Sequence, residues 1–173
     1  MDDFLNPEKV LKKLRLKEEM TAADFGCGSG GWVIPLAKKL EAGIVYAIDI
    51  LEEPISALRG KSDFENVLNI KTILSDVEKK EGSKLDTNSC DLVLMTNLLF
   101  QIEDKKGVLE EGKRVLREGG RILVVDWELD AALGPQKDRI SLDRVEKIAK
   151  EIGFKTEKEF KAGIYHWGLI LVK

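Results

Sequence analysis

A carboxylate and four glycines sit together in one short stretch, Asp24-Phe25-Gly26-Cys27-Gly28-Ser29-Gly30-Gly31. An apolar run, Thr21 to Phe25, leads into it, and an amphipathic run, Trp32 to Leu40, leads away. Strand, glycine-rich turn and helix in that order make a nucleotide-type cradle. Glycine permits the tight turn and lets a ligand approach the backbone, while the following helix aims its first amides at whatever sits above. Gly26, Gly28 and Gly31 satisfy the G-x-G-x-x-G dinucleotide spacing. Asp24 does not suit that reading, because a carboxylate there repels a pyrophosphate and attracts a positively charged ligand instead.

More acids end the neighbouring apolar runs. Ile44 to Ile48 runs into Asp49, Ile70 to Leu74 into Ser75-Asp76, and Arg121 to Val125 into Asp126-Trp127, while Asp91 to Met95 runs into Thr96-Asn97. In parallel α/β sheets, ligands bind at the carboxyl ends of the strands. Asp49 is placed to accept hydrogen bonds from ribose hydroxyls, with Ile50 against an adenine face. Asp76 and the Val77 amide are placed for the far edge of the base. Trp127, Phe100, Gln101 and Tyr165 are the candidates for an acceptor pocket. Asp126 and His166, the only histidine, are the candidate bases.

The elements that must position these groups follow from periodicity. Asn6-Pro7-Glu8 reads as a helix start, and its helix is expected against the sheet edge. Val33, Leu36, Ala37 and Leu40 mark the buried face of the helix after the glycines. A weaker helix spans Glu52 to Arg59, a charged loop Val77 to Asn88, and a helix Lys105 to Leu116, stopped by Glu118-Gly119-Gly120. Ser141 caps a helix with Val145, Ile148, Ala149 and Ile152 as its stripe. Phe154 to Phe160 and Tyr165 to Val172 are joined so tightly that they must be antiparallel. The pattern is a doubly wound, mostly parallel α/β sheet closed by a C-terminal hairpin, in one domain spanning residues 1–173.

Composition narrows the function. A net charge of −3 argues against a nucleic-acid-binding surface. Cys27 and Cys90 form no C-x-x-C pair, so neither a metal site nor a disulfide framework is expected. Neither a signal peptide nor an apolar run of membrane-spanning length is read, and the expected location is cytoplasmic.

These residues resemble a family, the class I S-adenosylmethionine-dependent methyltransferases. The resemblance rests on Asp24-x-Gly26-x-Gly28-x-Gly30, Asp49, Ser75-Asp76-Val77, Cys90-Asp91-Leu92-Val93 with Asn97-Leu98-Leu99, and Leu116-Arg117-Glu118-Gly119-Gly120-Arg121-Ile122-Leu123. It implies a seven-stranded Rossmann-like sheet with S-adenosylmethionine as cofactor and S-adenosylhomocysteine as product. The cofactor residues it implies are Asp24, Gly26, Cys27, Gly28, Gly30, Asp49, Ile50, Asp76, Val77 and Asn97. Asp24 then faces a sulfonium and an amino group. The chain is most similar to the small-molecule methyltransferases of ubiquinone/menaquinone-biosynthesis type, without their N-terminal helical lid. The expected activity is methyl transfer to a small molecule, with a homodimer as the assembly to test for. The alternatives are a protein or RNA acceptor, or a cofactor-binding subunit that needs a partner.

Overall fold

The computed structural model describes residues 4–173. Its seven strands are β1 (Thr21–Phe25), β2 (Ile44–Asp49), β3 (Ile70–Leu74), β4 (Cys90–Thr96), β5 (Leu116–Trp127), β6 (Lys155–Lys161) and β7 (His166–Val172). They form one sheet in the order β3-β2-β1-β4-β5-β7-β6. The neighbours from β3 to β5 are parallel. β7 runs antiparallel to both β5 and β6. The chain works outward from β1 to β3, then returns past β1 to start β4. The topological switch therefore falls between β1 and β4, where an open α/β sheet forms its crevice.

Strand alternation sends side chains to two separate cores. Ala22, Val45, Ala47, Leu92, Leu94, Leu123 and Val125 pack on one face. Covering them are α1 (Pro7–Leu11), α2 (Val33–Ala37) and α3 (Glu52–Phe64). Ala23, Phe25, Ile48, Val93, Met95, Ile122 and Val124 pack on the other face. There they meet α4 (Lys105–Val115) and α5 (Leu142–Glu151). Each fully buried aliphatic side chain contributes roughly 1.5–3 kcal/mol.

The caps form as the sequence implies. Asn6 accepts the Lys9 amide at 3.1 Å, and Ser141 accepts that of Arg144 at 3.2 Å. However, α1 lies on the sheet face and not at its edge, because Val10, Leu11 and Leu14 share a core with Val33 and Leu36. α2 is shorter than Trp32 to Leu40, although Leu40 remains fully buried. α3 runs to Phe64, five residues beyond Arg59, and ends before Asn66 at φ 54°. Only Ser62 is buried in that extension, so it carries no apolar stripe to announce it.

The Gly119-Gly120 pair does not stop α4. The helix ends at Val115, and Leu116 already pairs with Cys90. The glycines belong to an irregularity in register between Cys90 and Leu92. The charged 77–88 loop is anchored by Arg114, which donates to Leu85 O at 2.8 Å and to the buried Glu111 at 2.8 Å. Glu111 also accepts the Ser83 amide at 3.0 Å.

Candidate functional site

The glycine turn is tied to the neighbouring strand. Gly26 N and Cys27 N both donate to Ile48 O, at 2.8 and 2.9 Å. Gly26, Gly28 and Gly30 have φ of 74°, 51° and 88°, the left-handed region that glycine adopts freely. A Cβ at Gly30 would meet Leu58 at 2.4 Å, whereas nothing lies within 4 Å of one at Gly28. Packing thus explains Gly30, while the space over Gly28 is left for a ligand. Gly31 needs no unusual dihedral, so the operative spacing is Gly26-x-Gly28-x-Gly30 and not the dinucleotide spacing.

Asp49 is held against this turn. Its Oδ2 accepts the Gly28 amide at 2.9 Å and its Oδ1 the Leu51 amide at 3.0 Å. Beside it opens a cavity of about 420 Å³, lined by Gly26, Gly28, Asp49, Ile50, Asp76, Val77 and Gln101 among others. That volume falls within the ~300–1,000 Å³ of small-molecule sites. Asp76 also orders its own turn, since Oδ1 accepts the Glu78 amide at 3.0 Å.

Several residues on the cavity wall were not among the predicted site residues. Leu98 and Ile102 line it from the one-turn 3-10 helix region (Leu99–Gln101) after β4. Their apolar character inside a loop was the available hint. Glu78 closes one side, because its Oε1 accepts the Glu103 and Asp104 amides at 2.8 and 3.1 Å.

Asp24, Cys27, Gly30 and Asn97 lie outside the lining of this cavity. Asp24 is fully buried, and neither of its carboxylate oxygens has a hydrogen-bond partner among the described residues. Burial, and then the Asp49 carboxylate, push its pKa well above the ordinary range. Asn97 Oδ1 is likewise buried and unpartnered, and its backbone sits at φ 51°. Burial of the Cys27 thiol, with Asp24 and Asp49 adding repulsion, drives its pKa far up. This thiol is inert.

Of the acceptor candidates, Trp127 and Tyr165 lie at the ends of β5 and β7, whereas Phe100 and Gln101 sit in the turn after β4, with Gln101 on the wall of the cavity beside Asp49. Trp127 pairs with His166 across the strands, and their rings lie 4.1 Å apart. Phe4 packs edge-on against Trp127, Tyr165 and His166 at 5.6–5.8 Å. His166 is fully buried, and neither ring nitrogen makes a hydrogen bond of normal geometry among the described residues. Burial lowers its pKa to about 4, with the Phe4 backbone only partly opposing.

Asp126 has a different environment. Its Oδ2 accepts the Leu99 and Phe100 amides at 2.9 and 3.3 Å, and its Oδ1 accepts the Trp127 amide at 2.8 Å. Burial raises its pKa to about 6 against these hydrogen bonds. Both oxygens are thus engaged with backbone.

The 128–139 loop is gathered around one side chain. Arg139 donates to the carbonyls of Glu128, Leu129, Ala131, Leu133 and Pro135 at 2.5–3.2 Å. Its guanidinium lies 6.0 Å from the Trp127 ring.

A buried carboxyl group without a partner among the described residues, a glycine turn with open space above it and an acid at the end of the next strand fit a ligand that joins a cation to a nucleoside. Fold and site together define a class I S-adenosylmethionine-dependent methyltransferase domain. The chain belongs to the family described as "Methyltransferase domain", which matches residues 16–162. This family and fold imply S-adenosylmethionine as the cofactor, and the unpartnered Asp24 and Asn97 oxygens fit its charged end. The crystal structure of a SAM-dependent methyltransferase from Aquifex aeolicus is 29% identical, with a TM-score of 0.89, over 98% of this chain and 91% of that one. The ribosomal protein L11 methyltransferase of Thermoanaerobacter pseudethanolicus is 29% identical over 112 residues, 65% of this chain and 32% of the relative. A Methanocaldococcus jannaschii protein named "Probable cobalt-precorrin-6B C(15)-methyltransferase (decarboxylating)" is 32% identical over 98 residues, 56% of this chain and 52% of the relative. The chain spans between about a third and a half of the length of these two curated relatives. Among the described residues, no helix is long and apolar enough to cross a membrane.

Proposed function

We propose that this chain transfers the methyl group of S-adenosylmethionine to a small-molecule acceptor at the carboxyl edge of the sheet. The observation that carries the reading is Asp24, a fully buried carboxyl group at the end of β1 with no hydrogen-bond partner among the described residues. Its burial is costly unless a cation completes the site. The cofactor amino group and sulfonium are such cations. Asp49 binds the ribose hydroxyls, Ile50 and Val77 flank the adenine, and Asp76 reads its far edge. Gly26, Cys27, Gly28 and Gly30 shape the turn, and Asn97 offers its buried oxygen to the charged end.

When bound, the cofactor supplies an electrophilic methyl on a good leaving group. The protein's work is therefore alignment, for which proximity and orientation offer up to ~7–11 kcal/mol. Trp127, Tyr165, Phe100 and Gln101 position the acceptor, and the apolar rings around His166 exclude water. With its pKa near 4, His166 is neutral at physiological pH and keeps a lone pair for an acceptor proton. Asp126 acts through the backbone it holds and is a positioning residue in this scheme. We further assign the chain to the ubiquinone/menaquinone-type subgroup, working in the cytoplasm.

The relative named for ribosomal protein L11 motivates a second reading, a protein acceptor. A tritiated-methyl transfer screen over phenols, amines, peptides and RNA separates the two. Label on a small molecule, lost in Asp49→Ala, supports the proposal. Label on peptide alone overturns the acceptor class while leaving methyl transfer intact.

A further inference from the structure

A second cavity, of about 250 Å³, lies on the α1 face of the sheet, away from the cofactor edge. Lys13, Arg15, Arg121 and Lys158 line it with one acid, Glu157, so four cations face one carboxylate. The whole chain carries a net charge of −3, which makes this concentration of positive charge a local departure. Arg121 starts the stretch of β5 that pairs regularly with β4, five residues before Asp126. At about 3.3 Å per residue the two lie roughly 17 Å apart, on opposite edges of the sheet.

The cavity is built. The β6–β7 register is irregular between Thr156 and Lys158, which leaves Glu157 as the bulged residue. Bulges re-aim side chains, and this one turns Glu157 across β7 to Arg121, with Nε to Oε2 at 2.5 Å and Nη2 to Oε1 at 3.1 Å. The Glu157 carboxylate thus shows where an anion sits in this guanidinium fork. Arg15 and Lys158 make no hydrogen bond or ion pair among the described residues, although both sit close enough to stabilise the Glu157 charge. Lys13 lies over the Phe160 ring, its Nζ 5.0 Å from the centroid.

We infer that this cavity binds a small phosphate-bearing anion, held between Arg15, Lys158 and the edge of the Arg121 guanidinium that Glu157 leaves open. Guanidinium forks match phosphate oxygens in geometry and charge. The volume is below that of a drug-sized site, which selects a compact, multiply charged group. The cavity joins two parts of the chain, residues 13–15 after α1 and the strands β5 to β7. An anion seated there pins the N-terminal segment to the sheet, so the native state gains stability by mass action.

Sodium pyrophosphate is the probe, titrated into the full chain at ionic strength held constant with sodium chloride. A saturable rise in Tm is expected, with a 1:1 calorimetric isotherm. Arg15→Ala and Lys158→Ala, both at exposed side chains, should fold normally by circular dichroism and each weaken binding about tenfold, the size of one lost charge-assisted contact. Glu157→Gln frees the Arg121 fork and should tighten binding. A Tm response matched by sodium chloride alone overturns the inference, as does affinity unchanged in both alanine variants. Tighter binding of a single-stranded RNA oligonucleotide than of pyrophosphate overturns the small-ligand assignment.

Discussion

The Asp126 carboxylate at the end of β5 accepts the Leu99 amide at 2.9 Å, so one strand end and the turn after its neighbour move as one piece. The same oxygen reaches the Phe100 amide, and the other accepts that of Trp127. Asp126→Ala removes the side-chain acceptor that these three donors share at a buried position. Each stranded donor costs about 1–3 kcal/mol, less whatever water enters the gap. A loss of about 2–4 kcal/mol in urea unfolding is expected, with acceptor turnover falling more than cofactor affinity. An unchanged unfolding midpoint would show that the carboxylate anchors nothing.

Asp126 and His166 impose opposite pH dependences on stability. Asp126 holds its proton up to about 6 in the native state against 3.8 ordinarily, so its contribution falls as pH rises through that window. His166 stays neutral down to about 4, whereas the unfolded chain takes a proton below 6.5, so its contribution rises with pH from about 4 to 6.5. Removing one group exposes the other. His166→Phe should make the stability profile between pH 4 and 6 slope more steeply downward, and Asp126→Asn should tilt it upward. Chemical denaturation at four or five pH values measures both slopes. Parallel profiles in the two variants would contradict the buried environments assigned to these residues.

Much of this fold is legible because the local signals agree. Thr21–Phe25 and Ile44–Asp49 alternate between two buried faces and read as near-continuous apolar runs. Asp24 also announced itself, since a carboxylate before a glycine turn has no role with a phosphate ligand. The errors fall where a distant contact decides. Gly119-Gly120 reads locally as a helix stop, but Leu116 is claimed by Cys90 and joins β5. Arg139 carries no motif, because its five acceptors are backbone carbonyls that any sequence offers. Glu78 looks like one more surface acid until the fold brings the Glu103 and Asp104 amides to it.

The Arg139 hub predicts a separation of substrate effects. Arg139→Ala frees the 128–139 loop from its shared donor and withdraws the cation near Trp127. Asp49 and Asp76 stand at the other end of the parallel sheet, after β2 and β3. The acceptor KM should therefore rise several-fold while S-adenosylmethionine affinity stays within about twofold, and Arg139→Lys should restore little, because an ammonium lacks the planar fork. Equal losses of both affinities would place the loop's influence on the cofactor instead.

Asp49→Ala should separate binding from folding. The side chain is only partly buried, and its partners, the Gly28 and Leu51 amides, lie at a cavity where water can replace it. Two charge-assisted hydrogen bonds to ribose hydroxyls are worth about 3 kcal/mol together, or about a hundredfold in Kd. Calorimetry should show that loss for S-adenosylmethionine with a Tm within a few degrees of the parent. Retained affinity would remove Asp49 from the cofactor site.

Asp24 links cofactor binding to a proton. Its raised pKa comes first from burial and then from Asp49, and both effects favour the protonated form in the free protein. A cation brought against it favours the carboxylate, so the pKa falls on binding. A proton is then released, and affinity for S-adenosylmethionine rises with pH until the free-state pKa is passed. Calorimetric titrations in phosphate and in Tris, whose ionisation enthalpies differ, should give different apparent enthalpies at one pH. Asp24→Asn should erase that difference and weaken binding. Adenosine occupies the Asp49 end of the site without bringing a cation, so its binding should release no proton. Equal proton release with adenosine would mean that the charged end of the cofactor does not meet Asp24.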